Sequence, residues 1–360
     1  MTFRWYGEGN DAIHPQHIAQ IPSCKGLVWA LHKKAAGEVW PLDEIMGVKR
    51  YVEGFGLHID VVESVNIHED IKIGKPSRDK YIENYITTLK NLGEAGVKVV
   101  CYNFMPVFDW LRTDLFAPLS DGSTALFYEK AKVDGLDPQA LVEEYSKTTS
   151  KMTLPGWEPE RMKNLATLFE EYKAVSEDKL RENLKYFLDA VIPVAESVGI
   201  SMAIHPDDPP WSIFNLPRIV KSKSDLAKIL ELNPSRHNGL TLCSGALGAN
   251  LDNNIPDMVR SFADRIHFAH IRNVKVYENG DFVEVSHRAS DGSVDIVEVM
   301  RAYYETGYKG YIRPDHGRHI WDEDKNPDCR PGYGLYDRAL GIMYMLGAWE
   351  MIEKLDKEKK

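Results

Sequence analysis

Short apolar runs alternate along this chain with longer amphipathic runs. Eight of the short runs have the length and the β-branched or aromatic content of strands; they lie at residues 2–7, 26–31, 58–64, 97–104, 200–206, 239–244, 265–271 and 310–315. Amphipathic repeats between them predict helices at 41–55, 77–95 and 178–198. The last of these follows a candidate N-cap, Ser176. Strands that alternate with helices in this way pair in parallel.

Eight strand–helix units predict an α/β fold, a (β/α)8 TIM barrel that occupies residues 1–360 as a single domain. No GxGxxG motif follows the first strand, which argues against a dinucleotide-binding doubly wound sheet. The long connection after strand four predicts an insertion of extra helices over the active-site face, at about 105–175. A smaller insertion after strand seven, at about 272–292, predicts a β-hairpin that turns at Asn279 and Gly280.

Composition and charge narrow the choice of partners and location. The 44 basic and 54 acidic side chains leave a net charge of −10, without a basic run, so we expect neither nucleic-acid nor membrane-surface binding. No stretch approaches the roughly 18 apolar residues of a membrane span, and the N-terminus has no apolar signal region. The four cysteines form no CxxC pair, which indicates reduced thiols and a cytoplasmic location.

Four potential metal ligands stand where the last four predicted strands end: His205, Cys243, His270 and Asp315. Catalytic groups of such barrels come from the C-terminal strand ends, so these side chains should converge. One thiolate and one carboxylate would neutralise a divalent ion, and the mixed ligand set suits Mn, Fe, Co or Zn. Each residue alone is more commonly structural. His267 competes with His270, and we favour His270 because it lies nearer the strand end.

Candidate acid–base groups follow the last strand. His316 stands beside Asp315 and is a candidate general base, because imidazole titrates near neutral pH. Tyr333 lies between two glycines, in a loop that could place a phenol against a ligand. An anionic, hydroxyl-rich substrate needs arginines, amides and an apolar surface. The candidates for substrate binding are Arg4, Asn103, Trp110, Arg112, Arg272 and Arg313.

Several longer motifs carry a resemblance to a known family. The chain contains RWYG, WALHKKAAGEVW, CYNFMPVFDWLRTDL, AIHPDDPPW, TLCSGALGA, FAHIRN, RPDHGR and PGYGLYDRALG, which together span almost its whole length. With these motifs it resembles the bacterial mannonate dehydratases, within the xylose-isomerase-like barrels. In that family the residues that match His205, Cys243, His270 and Asp315 are metal ligands, and those that match His316 and Tyr333 transfer protons.

The resemblance implies a hydro-lyase that converts D-mannonate to 2-keto-3-deoxy-D-gluconate in hexuronate (glucuronate) catabolism, with Mn²⁺ or Fe²⁺ as cofactor. It does not fix which of His316 and Tyr333 acts as acid or base at each step. It also implies a homodimer or a higher homo-oligomer. Two alternatives stay open: a metal-dependent sugar isomerase on the same barrel, against which the single ligand carboxylate argues, and a non-catalytic binding protein for metal or sugar acid.

Overall fold

Eight parallel strands curve into a nearly closed barrel in the computed structural model, which describes residues 1–135, 138, 140, 143 and 164–359. In chain order the described strands are β1 (Thr2–Arg4), β2 (Gly26–Trp29), β3 (His58–Glu63), β4 (Val99–Tyr102), β5 (Asp114–Pro118), β6 (Thr124–Tyr128), β7 (Ser201–Ile204), β8 (Asn238–Cys243), β9 (Ile266–Ile271), β10 (Asn273–Val276), β11 (Phe282–Val285) and β12 (Tyr311–Pro314).

The barrel strands follow one another in the order β1-β2-β3-β4-β7-β8-β9-β12. The hydroxyl of Thr2 donates a hydrogen bond to the carbonyl of Ile312 at 3.2 Å, which links the first barrel strand to the last. All eight predicted barrel strands are therefore confirmed, and so is the (β/α)8 class. Because the pairing is parallel, every strand ends at the same rim.

Alternate residues of the barrel strands point to opposite sides and build two buried layers. A small cluster fills the barrel interior and consists of Val28, Val61, Val99, Cys101, Ala203 and Phe268. A much larger apolar cluster lies between the strands and the surrounding helices. The barrel is thus a packed core, and a ligand has access to it only at a rim.

Helices cover the outside of the barrel. The described helices are α1 (Pro15–Ala19), α2 (Leu42–Glu53), α3 (Glu69–Ile73), α4 (Arg78–Glu94), α5 (Lys130–Gly135), α6 (Leu165–Tyr172), α7 (Glu177–Ser197), α8 (Lys223–Leu232), α9 (Ser244–Gly248), α10 (Ile255–Phe262), α11 (Ile296–Glu305) and α12 (Tyr336–Glu358). The predicted N-cap of α7 is confirmed, since Ser176 Oγ accepts a hydrogen bond from Lys179 N at 3.1 Å. The helix has a buried face that includes Leu180, Leu184 and Phe187, as the amphipathic repeat at 178–198 predicts.

The two insertions form a second sheet, and here the prediction of a purely helical first insertion needs correction. The hairpin β10–β11 is present after the seventh barrel strand, as predicted. The first insertion opens with another hairpin, β5–β6, before α5 and α6. Strand β6 pairs with β11, so the two hairpins make one four-stranded antiparallel sheet. The predicted helices that fall on 136–163 lie outside the described residues, apart from the three single positions named above.

The hairpin β5–β6 had a local signal. The run TALFY at 124–128 is mostly apolar and aromatic, and Asp121-Gly122 precedes it, with Gly122 at φ +87°. A glycine at positive φ after aspartate is typical of a tight turn between antiparallel strands.

Among the described residues, no helix has both the length and the apolar character that crossing a bilayer demands.

Candidate active site

The four predicted metal ligands meet at the C-terminal rim of the barrel. His205 directly follows β7, Cys243 ends β8, His270 is the penultimate residue of β9, and Asp315 directly follows β12. These strands are consecutive in the barrel, and one potential ligand atom from each residue lies within 4.8 Å of those of the other three. The structure therefore brings together all four side chains that the sequence placed at strand ends.

Contacts within this cluster have the character of a metal site. Cys243 Sγ lies 3.4 Å from Asp315 Oδ2, and His270 Nδ1 lies 3.8 Å from Asp315 Oδ1. His270 is fully buried, and its Nδ1 has no hydrogen-bond partner among the described residues. A buried polar atom without a partner is costly, and a bound cation would remove that cost. His267 points elsewhere, since its Nε2 bonds the carbonyl of Arg236 at 2.8 Å.

Arginines surround the cluster and keep Asp315 ionised. Arg313 Nη2 lies 3.0 Å from Asp315 Oδ1, and Arg272 Nε lies 3.3 Å from Asp315 Oδ2. Burial alone would raise the pKa of Asp315, but His316, Arg313 and Arg272 together hold it well below its usual value. The carboxylate is thus an acceptor without a proton, the form in which it can bind a cation.

A second group of potential ligands lies on the other side of His270 and consists of Glu63, Cys101 and His270. Here Arg313 Nη2 already occupies Glu63 Oε2 at 2.8 Å, and Arg313 Nε contacts His270 Nε2 at 3.2 Å. Arg313 also contacts Asp315, so a guanidinium lies near both groups. The set His205, Cys243, His270 and Asp315 fits a metal better because it offers four donors instead of three, and because His270 Nδ1 has no hydrogen-bond partner among the described residues.

His316 and Tyr333 form a hydrogen-bonded pair beside the cluster. His316 Nε2 lies 3.0 Å from the hydroxyl of Tyr333, and His316 Nδ1 lies 2.7 Å from Glu284 Oε1. Burial raises the pKa of Tyr333 well above its ordinary value, and the nearby Tyr6 and Asp315 add to the rise. The phenol therefore keeps its proton at neutral pH. A protonated phenol, an imidazole and a carboxylate in series can move a proton.

A buried network of charges supports this pair. Arg112 binds both oxygens of Asp208 at 2.8 and 3.1 Å, and it also contacts Glu284 at 2.9 Å. Arg272 contacts the same two carboxylates, each at 2.8 Å, and reaches His316 Nδ1 at 2.8 Å. Burial would raise the pKa of Glu284, but His316, Arg272 and Arg112 lower it, so this carboxylate is ionised as well.

A cavity opens beside these groups at the same rim. Seven of the predicted site residues line it: Arg4, Asn103, Trp110, His205, Asp315, His316 and Tyr333. The other predicted arginines, Arg112, Arg272 and Arg313, are almost completely buried and take part in the ion pairs described above. Arg112, Arg272 and Arg313 are therefore not among the described residues that line the cavity.

Three acidic residues of the site had not been predicted. Glu63 ends β3 and lines the cavity, so the rule of strand ends would have found it. Asp208 stands in the motif HPDDPPW, three residues after His205, and also lines the cavity. Glu284 lies on an insertion hairpin and carries no local signal of its role, because its contacts depend on how that hairpin docks.

Comparisons with known proteins first define the class of barrel. The fold matches the crystal structure of a xylose isomerase domain protein from Planctomyces limnophilus with a TM-score of 0.54 at 10% identity, over 98% of each chain. At this identity the match shows the fold alone, which is that of a xylose-isomerase-like TIM barrel. The site at its C-terminal rim agrees with the usual position of active sites in such barrels.

The family follows from closer matches. The model of the D-mannonate dehydratase (UxuA) family matches residues 1–359. The mannonate dehydratases of Shouchella clausii and Bacillus subtilis are 59% and 54% identical over 360 and 359 residues, each over 100% of this chain and 99% of the relative. The crystal structure of the Streptococcus suis serotype 2 mannonate dehydratase matches with a TM-score of 0.88 at 43% identity, over 99% of this chain and 95% of the other. The chain belongs to the D-mannonate dehydratase family and is an enzyme, a hydro-lyase.

Proposed function

We propose that this enzyme removes water from D-mannonate to form 2-keto-3-deoxy-D-gluconate, as a step of hexuronate (glucuronate) catabolism. One observation carries the proposal: in a chain of this family, the His316–Tyr333 pair lines the same cavity as His205 and Asp315, two members of the four-ligand cluster. The reaction breaks the C2–H and C3–O bonds. It therefore needs a base, an acid and stabilisation of negative charge at the substrate carboxylate.

A divalent ion fits the cluster, and we propose Mn²⁺ or Fe²⁺ held by His205, Cys243, His270 and Asp315. The mixed nitrogen, sulfur and oxygen donors suit these metals, and His270 Nδ1, which has no hydrogen-bond partner among the described residues, is available to bind the ion. When bound, the ion supplies Lewis-acid stabilisation of the charge that develops on the substrate oxygens. Glu63 lies 3.4 Å from His270 Nε2 and can orient that ring.

We propose acid and base roles that agree with the hydrogen bonds of the pair. The Nδ1 atom of His316 faces the Glu284 carboxylate, so Nε2 is the nitrogen that accepts the C2 proton. Tyr333, whose pKa is raised, donates its hydroxyl proton to the departing C3 hydroxyl and forms water. His316 Nε2 then returns the C2 proton to the phenolate across the 3.0 Å contact, and the enol product ketonises. No net proton is gained or lost.

We propose two roles for the polar residues around the substrate. Arg4, Asn103 and Trp110, which line the cavity, contact the substrate. Arg112, Arg272 and Arg313, which are buried and ion-paired, hold the charged groups in place.

The sugar-isomerase alternative gains no support, since family membership assigns a hydro-lyase. We further propose that one domain spans residues 1–360, since a single apolar cluster includes strands, helices and insertions. The cytoplasmic location and the homo-oligomer stay predictions.

The proposal is tested with metal-stripped protein. We expect 2-keto-3-deoxy-D-gluconate to form from D-mannonate only after Mn²⁺, or Fe²⁺ without oxygen, is added. The product is followed as its keto group appears, and protein without added metal is the control. Metal binding without any product would overturn the proposal that D-mannonate is the substrate. Product at full rate from protein shown to be free of metal would overturn the metal dependence.

Gly332 should be intolerant of a side chain because it supports the proton-transfer pair. It adopts φ +77°, and a Cβ there would lie 2.7 Å from Leu126 Cδ1 and 3.2 Å from His316 Cγ. We expect Gly332→Ala to lower the free energy of unfolding by about 1–3 kcal/mol, from left-handed backbone strain and overpacking. It should also lower kcat, because the imidazole is displaced. Denaturant unfolding and steady-state kinetics measure the two effects.

Gly9→Ala is the matched control for this prediction. Gly9 has a similar φ of +70°, but a Cβ there meets nothing within 4 Å. It should therefore show the backbone cost without the loss of kcat. Equal kcat in the two variants would contradict the supporting role of Gly332.

A further inference from the structure

We propose that Glu284 is a positioning residue that holds His316 with its hydrogen on Nδ1 and leaves Nε2 bare toward Tyr333. The inference rests on the proposed function, in which His316 Nε2 accepts the substrate proton. It adds a residue from outside the barrel strands, since Glu284 belongs to the insertion hairpin β10–β11.

The contacts of His316 Nδ1 determine where the hydrogen lies. Glu284 Oε1 is 2.7 Å away, and an ionised carboxylate is only an acceptor. Two acceptors at that distance would repel each other, so a hydrogen must lie between them, and Nδ1 must carry it. Arg272 Nη1 lies 2.8 Å from both Nδ1 and Glu284 Oε1, and its two hydrogens allow it to donate to either. The anionic oxygen of Glu284 is nearer to Nδ1, and it favours a hydrogen on that nitrogen.

With Nδ1 protonated, a neutral imidazole has its lone pair on Nε2. That atom faces the hydroxyl of Tyr333 at 3.0 Å, and His316 lines the cavity. When Nε2 accepts a proton the ring becomes a cation, and the Glu284 carboxylate stabilises it. This is the division of labour between carboxylate and imidazole in hydrolytic triads, where the carboxylate fixes the tautomer and does not take the proton.

The surroundings keep Glu284 suited to this task. The residue is fully buried, so water does not compete for its oxygens. Arg112 and Arg272 both contact Oε1, the oxygen that also faces His316, and so fix the carboxylate in place. Asp208 provides these two guanidiniums with another carboxylate. Glu284 is thus more than a counter-ion, because among the described carboxylates it is the one that hydrogen-bonds His316.

Two substitutions separate positioning from simple structural support. Glu284→Gln keeps the shape but loses the charge, and its amide can donate to Nδ1 or accept from it, so the tautomer is no longer imposed. We expect kcat for D-mannonate to fall ~10²-fold or more with little change in KM, since general-base catalysis depends on the free Nε2. Glu284→Asp keeps the charge and should retain more of the activity. Glu278→Gln, on the exposed turn of the same hairpin, is the control for loss of one charge and should behave as wild type.

The tautomer itself is read from ¹⁵N spectra of histidine-labelled, zinc-loaded protein, because Zn²⁺ has no unpaired electrons. The signal of His316 is identified by its loss in His316→Asn. Wild type should show Nδ1 protonated and Nε2 bare, and Glu284→Gln should lose that pattern. If Glu284→Gln does not fold, the wild-type spectrum and the kinetics of Glu284→Asp decide.

Three results have separate meanings. A wild-type spectrum with the hydrogen on Nε2 overturns the inference. So does a folded Glu284→Gln variant with the kcat of wild type. A wild-type protein that shows the expected tautomer but does not convert D-mannonate overturns the proposed function, while the role of Glu284 toward His316 stands.

Discussion

Replacing His316 by asparagine should lower kcat for D-mannonate by ~10²–10⁴-fold, the range that a positioned general base contributes. Asparagine cannot accept the C2 proton, but its amide can still donate to Glu284, the carboxylate that lies 2.7 Å from His316 Nδ1. The buried network should therefore survive. Because His316 is outside the four-ligand cluster, we expect metal content and substrate affinity to stay near those of wild type.

The measurement combines steady-state kinetics with metal analysis and substrate titration on the same preparations. His267→Asn is the matched control: the same substitution on barrel strand β9, at a side chain that bonds the carbonyl of Arg236 and has no place in the cluster. It should keep wild-type kcat and metal content. Near wild-type turnover of His316→Asn would remove His316 from the chemistry. Loss of metal in that variant would show that His316 acts through the ligands instead.

The sequence was sufficient for the barrel and for the residues at strand ends, for a simple physical reason. A buried parallel strand can be predicted from a short apolar run. The side chain at the C-terminal end of each barrel strand must then lie at the common rim. This rule holds for the four ligand candidates His205, Cys243, His270 and Asp315. It also holds for Glu63, which ends β3 and was not among the predicted site residues.

The second sheet lay beyond the local pattern. Strand β6 pairs Tyr128 with Phe282 and Phe127 with Val283 of β11, so residues more than one hundred and fifty positions apart meet edge to edge. Nothing in either hairpin alone specifies the other as its partner. Glu284 owes its place beside His316 to that docking, which is why a chemically important carboxylate had no signal of its own.

Long side chains were the other limit of the sequence. Arg272 and Arg313 each lie two residues from a metal-ligand candidate in the sequence, so they must be near the site. The direction in which a guanidinium extends depends on packing, and the sequence does not predict it. Both proved to be buried and bound to carboxylates. Gly245 packs directly against the side chain of Arg272, since a Cβ at position 245 would lie 2.2 Å from Arg272 Nε.

Replacing Cys243 by serine should weaken metal binding at least as much as the ~10–100-fold loss that follows removal of an outer partner of a metal site. Serine is nearly the same size, but its hydroxyl stays protonated where the thiol can ionise, so the ion loses a charged ligand. Turnover at limiting Mn²⁺ should fall in parallel and recover in part at high Mn²⁺. Equilibrium dialysis against a Mn²⁺ series, followed by elemental analysis, measures the affinity.

Cys101→Ser is the matched control, and it also distinguishes the two groups of potential ligands. Cys101 is as buried as Cys243, so both substitutions carry the same general cost of a hydroxyl in the core, but Cys101 belongs to the group in which Arg313 already neutralises Glu63. We expect Cys101→Ser to bind Mn²⁺ as wild type does. Wild-type affinity in Cys243→Ser would remove that thiolate from the ligand set. Loss of affinity in Cys101→Ser alone would move the metal to the side of His270 that faces Glu63, since His270 is the residue that the two groups share.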